Sequence, residues 1–438
     1  MKRREFIAST GLLAAGLAIN SCRSESKRAD RRNGMVRRGS GDWEWVRNQF
    51  NLSSDKIHMG AMLIASHPQP VREAIEAFRR RLDEEPVSYL NEENERRQRA
   101  ARKAAADYFG GGPENVALTD STTMGIALVY HGLPLRPGHE ILTTEHDYYA
   151  THETLRQVSH RTGATLRRIS LFDEAATASV DQIVTRISSA ITPATRALAL
   201  TWVHSSTGMK LPVAQISEAV ADVNNSREPQ DRVLVCVDGV HGFGIEDVTA
   251  EDLGCDFFMA GCHKWLFGPR GTGIVWGRTD AWENLQPIIP SFMDQSSWTA
   301  WANGMEPPKE TTASRMSPGG FKPFEHQWAM VEAFAFHHDI GKSQIAERTH
   351  ELNRQLKQGL ASMPNITLHT PRSDDLSAGI VCFDIDGMEP KEVVSRLADR
   401  NIIATTTPYL VSYPRLTPCI YNTPEEVEQV LREIRELI

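Results

Sequence analysis

Between residues 116 and 276, short β-rich runs alternate with stretches whose apolar residues recur at helical spacing. Helices fit between several of the runs, for example at Tyr149–Thr162, Val180–Ile191 and Val213–Val223. Because parallel strands must be joined by crossover connections, this alternation predicts an α/β fold with a largely parallel sheet covered on both faces. The predicted strands are Val116–Thr119, Glu140–Thr144, Thr165–Ile169, Ala197–Val203, Val233–Val237, Phe257–Ala260 and Gly273–Trp276.

The alternation ends near Pro307, where the pattern of the chain changes. A long helical region at Gln327–Met363 follows, then strand–helix–strand units and a final helix at Glu425–Ile438. We therefore predict a large domain over residues 43–310 and a smaller α+β C-terminal domain over residues 311–438.

The N-terminus has the composition of a targeting segment rather than of a folded element. Arg3 and Arg4 precede a short apolar stretch that ends at Ile19, which predicts a signal peptide over residues 1–21. Paired arginines followed by apolar residues are typical of the twin-arginine (Tat) signal, a bacterial address that predicts export to the periplasm by the Tat machinery. Cys22 stands where a lipoprotein signal would place its acylated cysteine, and ordinary cleavage nearby is the alternative.

Composition narrows the classes of partner. Residues 22–42 are polar, basic and rich in Ser and Gly, so we interpret them as a linker. The formal net charge is -8 and the rest of the chain has no basic stripe, which argues against a nucleic-acid partner. The cysteines after Cys22 have no metal-ligand spacing and lie mostly in apolar runs, so we predict buried free thiols and no metal site.

Two strand ends carry the residues with the strongest chemical signal. The apolar run that begins at Val233 ends in Asp238, and the run that begins at Phe257 is followed by Lys264. Ligands bind beside the carboxyl ends of strands in open α/β sheets. Chemistry based on pyridoxal 5'-phosphate (PLP) needs a lysine amine that binds the cofactor as a Schiff base and a carboxylate that keeps its ring nitrogen protonated. A helix cap at Asp238 and a solvated charge at Lys264 are the alternatives.

The motifs around these residues resemble the class V aminotransferase family of fold-type I PLP enzymes, and within it the isopenicillin N epimerase-like branch. The resemblance runs from about residue 50 to the C-terminus. Its most specific parts are VDGVHGFG, HKWLFGPRGTGIVW and a terminal R-x-T-x-x-x-YNT-x-E-E motif at Arg415–Glu426. It implies a PLP-dependent transferase fold of type I, with a mostly parallel seven-stranded sheet and a homodimer whose active site lies at the interface.

The resemblance also implies where the cofactor phosphate binds. Thr122 and Thr123 lie between a predicted strand and an apolar helix, and a helix N-terminus offers free N–H donors to an anion. Simple helix capping by these threonines is the alternative. His263, next to the lysine, is expected to add a further phosphate contact.

Four other residues take roles from the resemblance. His146 matches the family residue that stacks on the pyridine ring and assists proton transfer, although a structural hydrogen bond is an alternative. His241 stands where relatives place a Gln or His against the phenolic oxygen, and Ser205 stands where desulfurases carry Asn. Arg415 matches the arginine that binds the substrate carboxylate, a role suited to its planar fork of donors, with a plain surface arginine as the alternative.

The chain departs from some relatives in ways that narrow the reaction. Cysteine desulfurases carry a nucleophilic cysteine on a loop before this arginine, but Ile402–Pro414 contains none and Cys419 follows Arg415. Persulfide chemistry is therefore disfavoured. Gly261 replaces a serine that many relatives use for phosphate, and residues 317–320 are the candidate loop that the second subunit would contribute.

From these observations we expect an exported PLP enzyme that acts at the Cα of an amino acid or of a metabolite that contains one. Exported relatives that modify an amino-acid side chain of a peptide siderophore favour aminotransferase-type tailoring. An isopenicillin N epimerase-like epimerisation and C–S lysis are the alternatives. A protein that binds PLP or a ligand without turnover is the non-enzymatic alternative, and a spectrum that shifts on addition of an amine would distinguish the two.

Overall fold

The computed structural model describes residues 41–438. The predicted signal peptide, Cys22 and nearly all of the predicted linker therefore lie outside the described residues. No helix within the described range has the length and apolar character needed to cross a membrane.

The described part of the chain begins with a short helix, an irregular segment and two long helices. Their elements are α1 (Trp43–Asn48), β1 (Ile57–His58), α2 (Gln69–Glu84) and α3 (Pro86–Phe109). Helix α3 ends at Gly110, which has a φ of 109° that favours glycine. The chain then turns into the first strand of the main sheet.

The predicted seven-stranded α/β sheet is confirmed. Its strand order is β2-β8-β7-β6-β5-β3-β4, and every neighbouring pair is parallel except the two that β8 forms. The strands are β2 (Val116–Thr119), β3 (Glu140–Thr144), β4 (Thr165–Ile169), β5 (Thr195–Thr201), β6 (Leu234–Asp238), β7 (Phe257–Gly261) and β8 (Gly273–Gly277). The helices between and after them are α4 (Thr122–Gly132), α5 (Tyr149–Thr162), α6 (Val180–Ala190), α7 (Val213–Asn224), α8 (Ala250–Leu253), α9 (Gln295–Ala302) and α10 (Ala313–Met316).

Both faces of the sheet are buried, which explains why its central strands are continuous apolar runs. In β5, Leu198 and Leu200 belong to one hydrophobic core, whereas Ala197 and Ala199 belong to another. This split follows the two-residue period of a strand, whose side chains point alternately to opposite faces. The helices on either side supply the rest of each core.

The carboxyl ends of the parallel strands meet at one edge of the sheet. Register pairs Thr201 of β5 with Asp238 of β6, and Asp238 with Met259 of β7. The loop after β7 therefore emerges beside Asp238, as the sequence pattern predicted.

The predicted helical region Gln327–Met363 is two helices, α11 (Phe324–Ile340) and α12 (Lys342–Ala361). Gly341 separates them with a φ of 101°, a conformation that side chains other than glycine rarely adopt. An antiparallel sheet of order β12-β13-β10-β9 follows. The remaining elements are β9 (Ile366–Leu368), β10 (Val381–Ile385), α13 (Pro390–Ala398), β11 (Ile402–Ile403), β12 (Thr405–Thr406), β13 (Pro414–Leu416) and α14 (Pro424–Arg435).

The N-terminal segment joins this C-terminal region to the edge of the main sheet. Strand β1 pairs in parallel with β11, and Phe50 packs edge-on against Tyr421 with ring centroids 5.2 Å apart. A few residues later, the Ala65 N–H donates to the carbonyl of His263, the residue before Lys264. The boundary predicted between residues 310 and 311 stays a prediction.

Gly239, which follows Asp238, has no room for a side chain, because a Cβ there would overlap the ring of Phe258. We expect Gly239→Ala to lower the free energy of unfolding by about 1–3 kcal/mol, the usual cost of overpacking. Chemical denaturation of the purified protein measures this loss. Gly60→Ala is the matched control, because its Cβ would meet only ordinary contacts at 3.7 Å and beyond. Equal stability of the two variants would contradict this packing explanation.

Candidate active site

Asp238 is a carboxylate that the fold takes out of water. It is the last residue of β6, its exposed fraction is 4%, and its Oδ1 accepts a hydrogen bond of 3.1 Å from the Val240 N–H. Burial raises its pKa to about 6, against the lowering effects of the Val240 hydrogen bond and the Lys264 charge. Within residues 41–438 no cationic side chain forms an ion pair with Asp238. A bound cationic group could therefore pair with this carboxylate.

Lys264 follows β7 and faces His241, which lies in the turn after β6. The Lys264 Nζ is 3.3 Å from His241 Nε2, and the Trp265 indole N–H donates to His241 Nδ1 over 3.4 Å. Burial lowers the pKa of Lys264 to about 8, and Arg415 adds to this effect while Asp238 opposes it. Burial, followed by the charges of Lys264 and Arg415, holds the pKa of His241 well below its ordinary value.

Arg415 reaches this site from β13 of the second sheet. Its exposed fraction is 2%, and its Nη1 donates to the Ser205 carbonyl over 2.7 Å. Its Nε donates to Thr405 Oγ1 and its Nη2 to the Thr406 carbonyl. Burial lowers its pKa, and no carboxylate in the described part of the chain pairs with it.

A pair of tyrosines lies beside Arg415. The Tyr409 hydroxyl is 2.8 Å from Ser205 Oγ, and its ring contacts Tyr148 edge-on with centroids 5.8 Å apart. Burial raises the pKa of Tyr409 above its ordinary value, so its phenol stays protonated. The segment that the sequence distinguished by its lack of cysteine thus places a phenol next to Ser205.

The predicted phosphate residues meet at the N-terminus of α4. Ser121 caps this helix, and Thr122 Oγ1 accepts a hydrogen bond of 2.8 Å from the Gly261 N–H. A Cβ at Gly261 would lie 2.9 Å from the His263 ring and 3.0 Å from Thr122 Oγ1, so a side chain at this position would crowd both residues. Thr123 is exposed on the first turn of the same helix.

His146 has the structural hydrogen bond that the sequence left open as an alternative, and its stacking on the pyridine ring stays a prediction. Its Nε2 accepts a hydrogen bond of 3.1 Å from the Leu171 N–H, and its ring stacks on Phe172 at 4.0 Å. Burial lowers its pKa to about 3, so the ring is neutral. The next residue, Asp147, is buried and binds the Thr201 N–H at the end of β5. No hydrogen bond in the described range joins His146 to Lys264 or Asp238.

The cysteines of the described residues all lie in the interior. The five cysteines after residue 40 are buried and free, as predicted.

The predicted partner loop makes hydrogen bonds within its own chain. Ser317 Oγ accepts from the Leu118 N–H and donates to the Ala313 carbonyl. Among residues 41–438 no cluster of His, Cys, Asp and Glu side chains has the arrangement of a metal site.

The structure joins most of the predicted residues but adds others. Asp238, Lys264, His241, Ser205 and Arg415 form one connected group, and Thr122, Gly261 and His263 form a second group beside it. Sequence reasoning missed Trp265, Tyr148, Tyr409 and Asp147. Each lies next to or within a motif that had been singled out, but no spacing rule separates these residues from ordinary core aromatics and caps.

The two groups fit PLP. The buried carboxylate of Asp238 suits a protonated ring nitrogen, and the lowered pKa of Lys264 leaves its amine ready to bond an aldehyde. The helix N-terminus with Thr122 and His263 suits a phosphate. Because Gly261 has no side chain, the space beside Thr122 Oγ1 and the His263 ring stays free.

Comparisons with known proteins agree with this fit. Isopenicillin N epimerase from Streptomyces clavuligerus is 28% identical over 89% of this chain and 96% of its own length. Cysteine desulfurase from Klebsiella pneumoniae (strain 342) is 27% identical over 80% of this chain and 85% of its own length.

A mutant of C-DES with glycine covalently linked to its PLP cofactor has a similar fold. The TM-score is 0.79 at 21% identity, over 89% of this chain and 98% of that one. The family model described as "Aminotransferase class-V" matches residues 65–430. The chain therefore belongs to the class V aminotransferase family of PLP-dependent enzymes.

Proposed function

We propose that this protein is an exported PLP-dependent enzyme that acts at the Cα of an amino acid or of a metabolite that contains one, with aminotransferase-type chemistry favoured. The observation that carries this proposal is the buried guanidinium of Arg415, which has no carboxylate partner among the described residues. A buried charge without a partner is costly, and an arginine binds a carboxylate in a bidentate manner. The substrate is therefore expected to bring the missing carboxylate.

The residues around Arg415 keep it ready for this partner. Three acceptors fix the guanidinium: the Ser205 carbonyl, Thr405 Oγ1 and the Thr406 carbonyl. Because these acceptors are neutral, they orient the group without neutralising its charge. Burial lowers the pKa of Lys264, and the charge of Arg415 adds to this lowering against the effect of Asp238. A substrate carboxylate on Arg415 would thus bring the adjacent Cα towards the Lys264 amine.

PLP, when bound, supplies an electron sink for the negative charge that develops at Cα. Asp238 would stabilise the positive charge of the ring nitrogen from within a dry site. Lys264 Nζ would first hold the cofactor and then, once the substrate amine has displaced it, take the proton from Cα.

Lys264 is the one amine base of the connected group, which favours chemistry that needs a single base. The neighbouring imidazoles of His146 and His241 are held neutral, and the phenol of Tyr409 stays protonated. Transamination would move the Cα proton to the aldehyde carbon of the cofactor, which the amino-acid nitrogen separates from Cα, and a single amine can carry it. This is the reason for placing transamination first.

Epimerisation is the second candidate, because isopenicillin N epimerases match this chain over nearly their whole length. The phenol of Tyr409, which burial keeps protonated, is the group near Arg415 that could return a proton from another direction. Persulfide chemistry is not proposed, because Cys382 and Cys419 are fully buried and burial raises the pKa of each thiol to about 12.

Export and dimerisation are also proposals. Arg3 and Arg4 support Tat-dependent transport to the periplasm, with Cys22 as a possible lipid anchor. The exposed side chains of Phe292 and Phe321 support a homodimer, because a second copy would cover apolar surface near the predicted partner loop.

We expect Arg415→Lys to raise the KM for amino acids about 10- to 100-fold, because a charged bidentate contact contributes about 1.5–3 kcal/mol. The same variant should react nearly normally with an amine that lacks the carboxylate. Steady-state kinetics or spectral titration with both compounds measures the difference. The control is Arg348→Lys, a buried arginine that bonds Glu351 and the Asn422 carbonyl instead. Equal losses with both compounds would contradict the carboxylate role.

We expect Asp238→Asn to retain PLP but to slow exchange of the Cα proton by about 100-fold or more, because the ring nitrogen loses its charge partner. Proton exchange in deuterium oxide, followed by NMR of the amino acid, measures this step directly. Asp256→Asn is the control, since Asp256 is a buried carboxylate that pairs with Arg278 away from the site. Normal exchange in the Asp238 variant would overturn its proposed role.

Export is expected to follow cofactor loading, because PLP binds only the native site and stabilises it by mass action. Changing Arg3 and Arg4 together to lysine should leave active, PLP-loaded protein in the cytoplasm. Cell fractionation with cofactor quantitation in each fraction measures this. Unchanged periplasmic holoprotein would show that the segment is an ordinary secretory signal.

A further inference from the structure

We propose that Trp265 is a positioning residue whose indole N–H fixes His241 in the tautomer that carries its proton on Nε2, and thereby favours the neutral form of the Lys264 amine. The Trp265 Nε1 lies 3.4 Å from His241 Nδ1, and the Lys264 Nζ lies 3.3 Å from His241 Nε2. The imidazole is thus held between an indole on one side and an amine on the other.

The chemistry of the three groups decides where the protons lie. An indole nitrogen can only donate, and a neutral imidazole has one donor and one acceptor nitrogen. Since Trp265 donates to Nδ1, the ring proton of His241 must be on Nε2. A neutral amine can accept this N–H through its lone pair, whereas an ammonium offers only donors and would oppose it. The neutral form of Lys264 is therefore the form that this geometry stabilises.

The indole ring of Trp265 cannot rotate away from His241, because it is tightly packed against the backbone of Gly379. Trp265 has no exposed surface, and a Cβ at Gly379 would lie 2.7 Å from its six-membered ring. The backbone of Trp265 is equally tightly packed, since a Cβ at Gly244 would lie 2.7 Å from its carbonyl carbon. The donor direction of the indole is thus set by the fold and not by the ligand.

Other charged groups around Lys264 both raise and lower the pKa of its amine, in addition to the lowering by burial. Asp238 raises its pKa, and Arg415 lowers it. Burial, followed by the charges of Lys264, Arg415 and His263, lowers the pKa of His241, which keeps the ring neutral and preserves its single tautomer. The Trp265–His241 pair adds a fixed N–H dipole that opposes the effect of Asp238 on the amine.

A neutral amine is the nucleophile that bonds an aldehyde, so this inference rests on the proposed role of Lys264 as the cofactor-bearing residue. The tautomer of His241 does not depend on that role. It is a property of the protein alone and can be measured without the cofactor.

The test compares Trp265→Phe with Trp328→Phe in the full-length protein. Trp328 is the matched control, because it is also a fully buried tryptophan and its indole N–H has no hydrogen-bond partner in the described range. Nitrogen-15 NMR of histidine-labelled protein reports which ring nitrogen carries the proton, and His241→Gln assigns the signals. The second measurement is the rate at which protein stripped of cofactor captures PLP, trapped with borohydride, as a function of pH.

In the unaltered protein and in Trp328→Phe, His241 should carry its proton on Nε2. In Trp265→Phe the ring is free to place the proton on Nδ1 and accept from the ammonium, so the pH profile of capture should move up by about one unit. Capture near neutral pH would then fall about tenfold, since one pKa unit corresponds to a tenfold change.

A proton on Nδ1 in the unaltered protein would overturn the inference, even if Trp265→Phe does not fold. An unshifted capture profile in a folded Trp265→Phe would also overturn it. If neither the unaltered protein nor the control captures PLP, the proposed function fails, while the tautomer measurement still decides the role of Trp265.

Discussion

The site depends on one constraint, namely that a carboxylate and an amine leave water together at the ends of adjacent parallel strands. Asp238 ends β6, and the loop that carries Lys264 follows β7, with the two strands in register. Burial raises the pKa of the acid to about 6 and lowers that of the amine to about 8. Each group is therefore held closer to its neutral form than it would be in water, a state that favours a bound partner for both.

The second sheet contributes the guanidinium group of the site. Arg415 comes from β13 and bonds the Ser205 carbonyl, which lies in the loop after β5. The N-terminal segment strengthens this junction, because β1 pairs with β11 and Ala65 bonds the carbonyl before Lys264. The proposed substrate-binding and cofactor-binding residues thus lie on different parts of the chain that share a short hydrogen-bonded connection.

Three uncharged groups, the rings of His146, His241 and Tyr409, contribute to the rest of the site. His146 is tied to the Leu171 N–H, His241 to the Trp265 indole, and the Tyr409 phenol to Ser205. Each has one hydrogen-bond direction set by a rigid neighbour. In a poorly solvated site such fixed dipoles act strongly on the charges that remain. The amine of Lys264 is then the group best able to take and return a proton.

The sequence by itself determined the alternation that gives the parallel sheet, the strand ends that carry Asp238 and Lys264, and the positions of Ser205 and Arg415. The alternation and the strand ends are local signals, because apolar runs and strand–helix periodicity are written in contiguous residues. Ser205 and Arg415 were identified through the resemblance to the family. Only the tertiary structure decided that Gly341 divides one predicted helix, that His146 is held by Leu171, and that Trp265 and Tyr409 face the site. These features depend on contacts between residues far apart in the chain or on the direction of a single side chain, neither of which periodicity encodes. A tryptophan beside a lysine has the same sequence pattern whether its N–H points to a histidine or into a core, and packing alone fixes that direction.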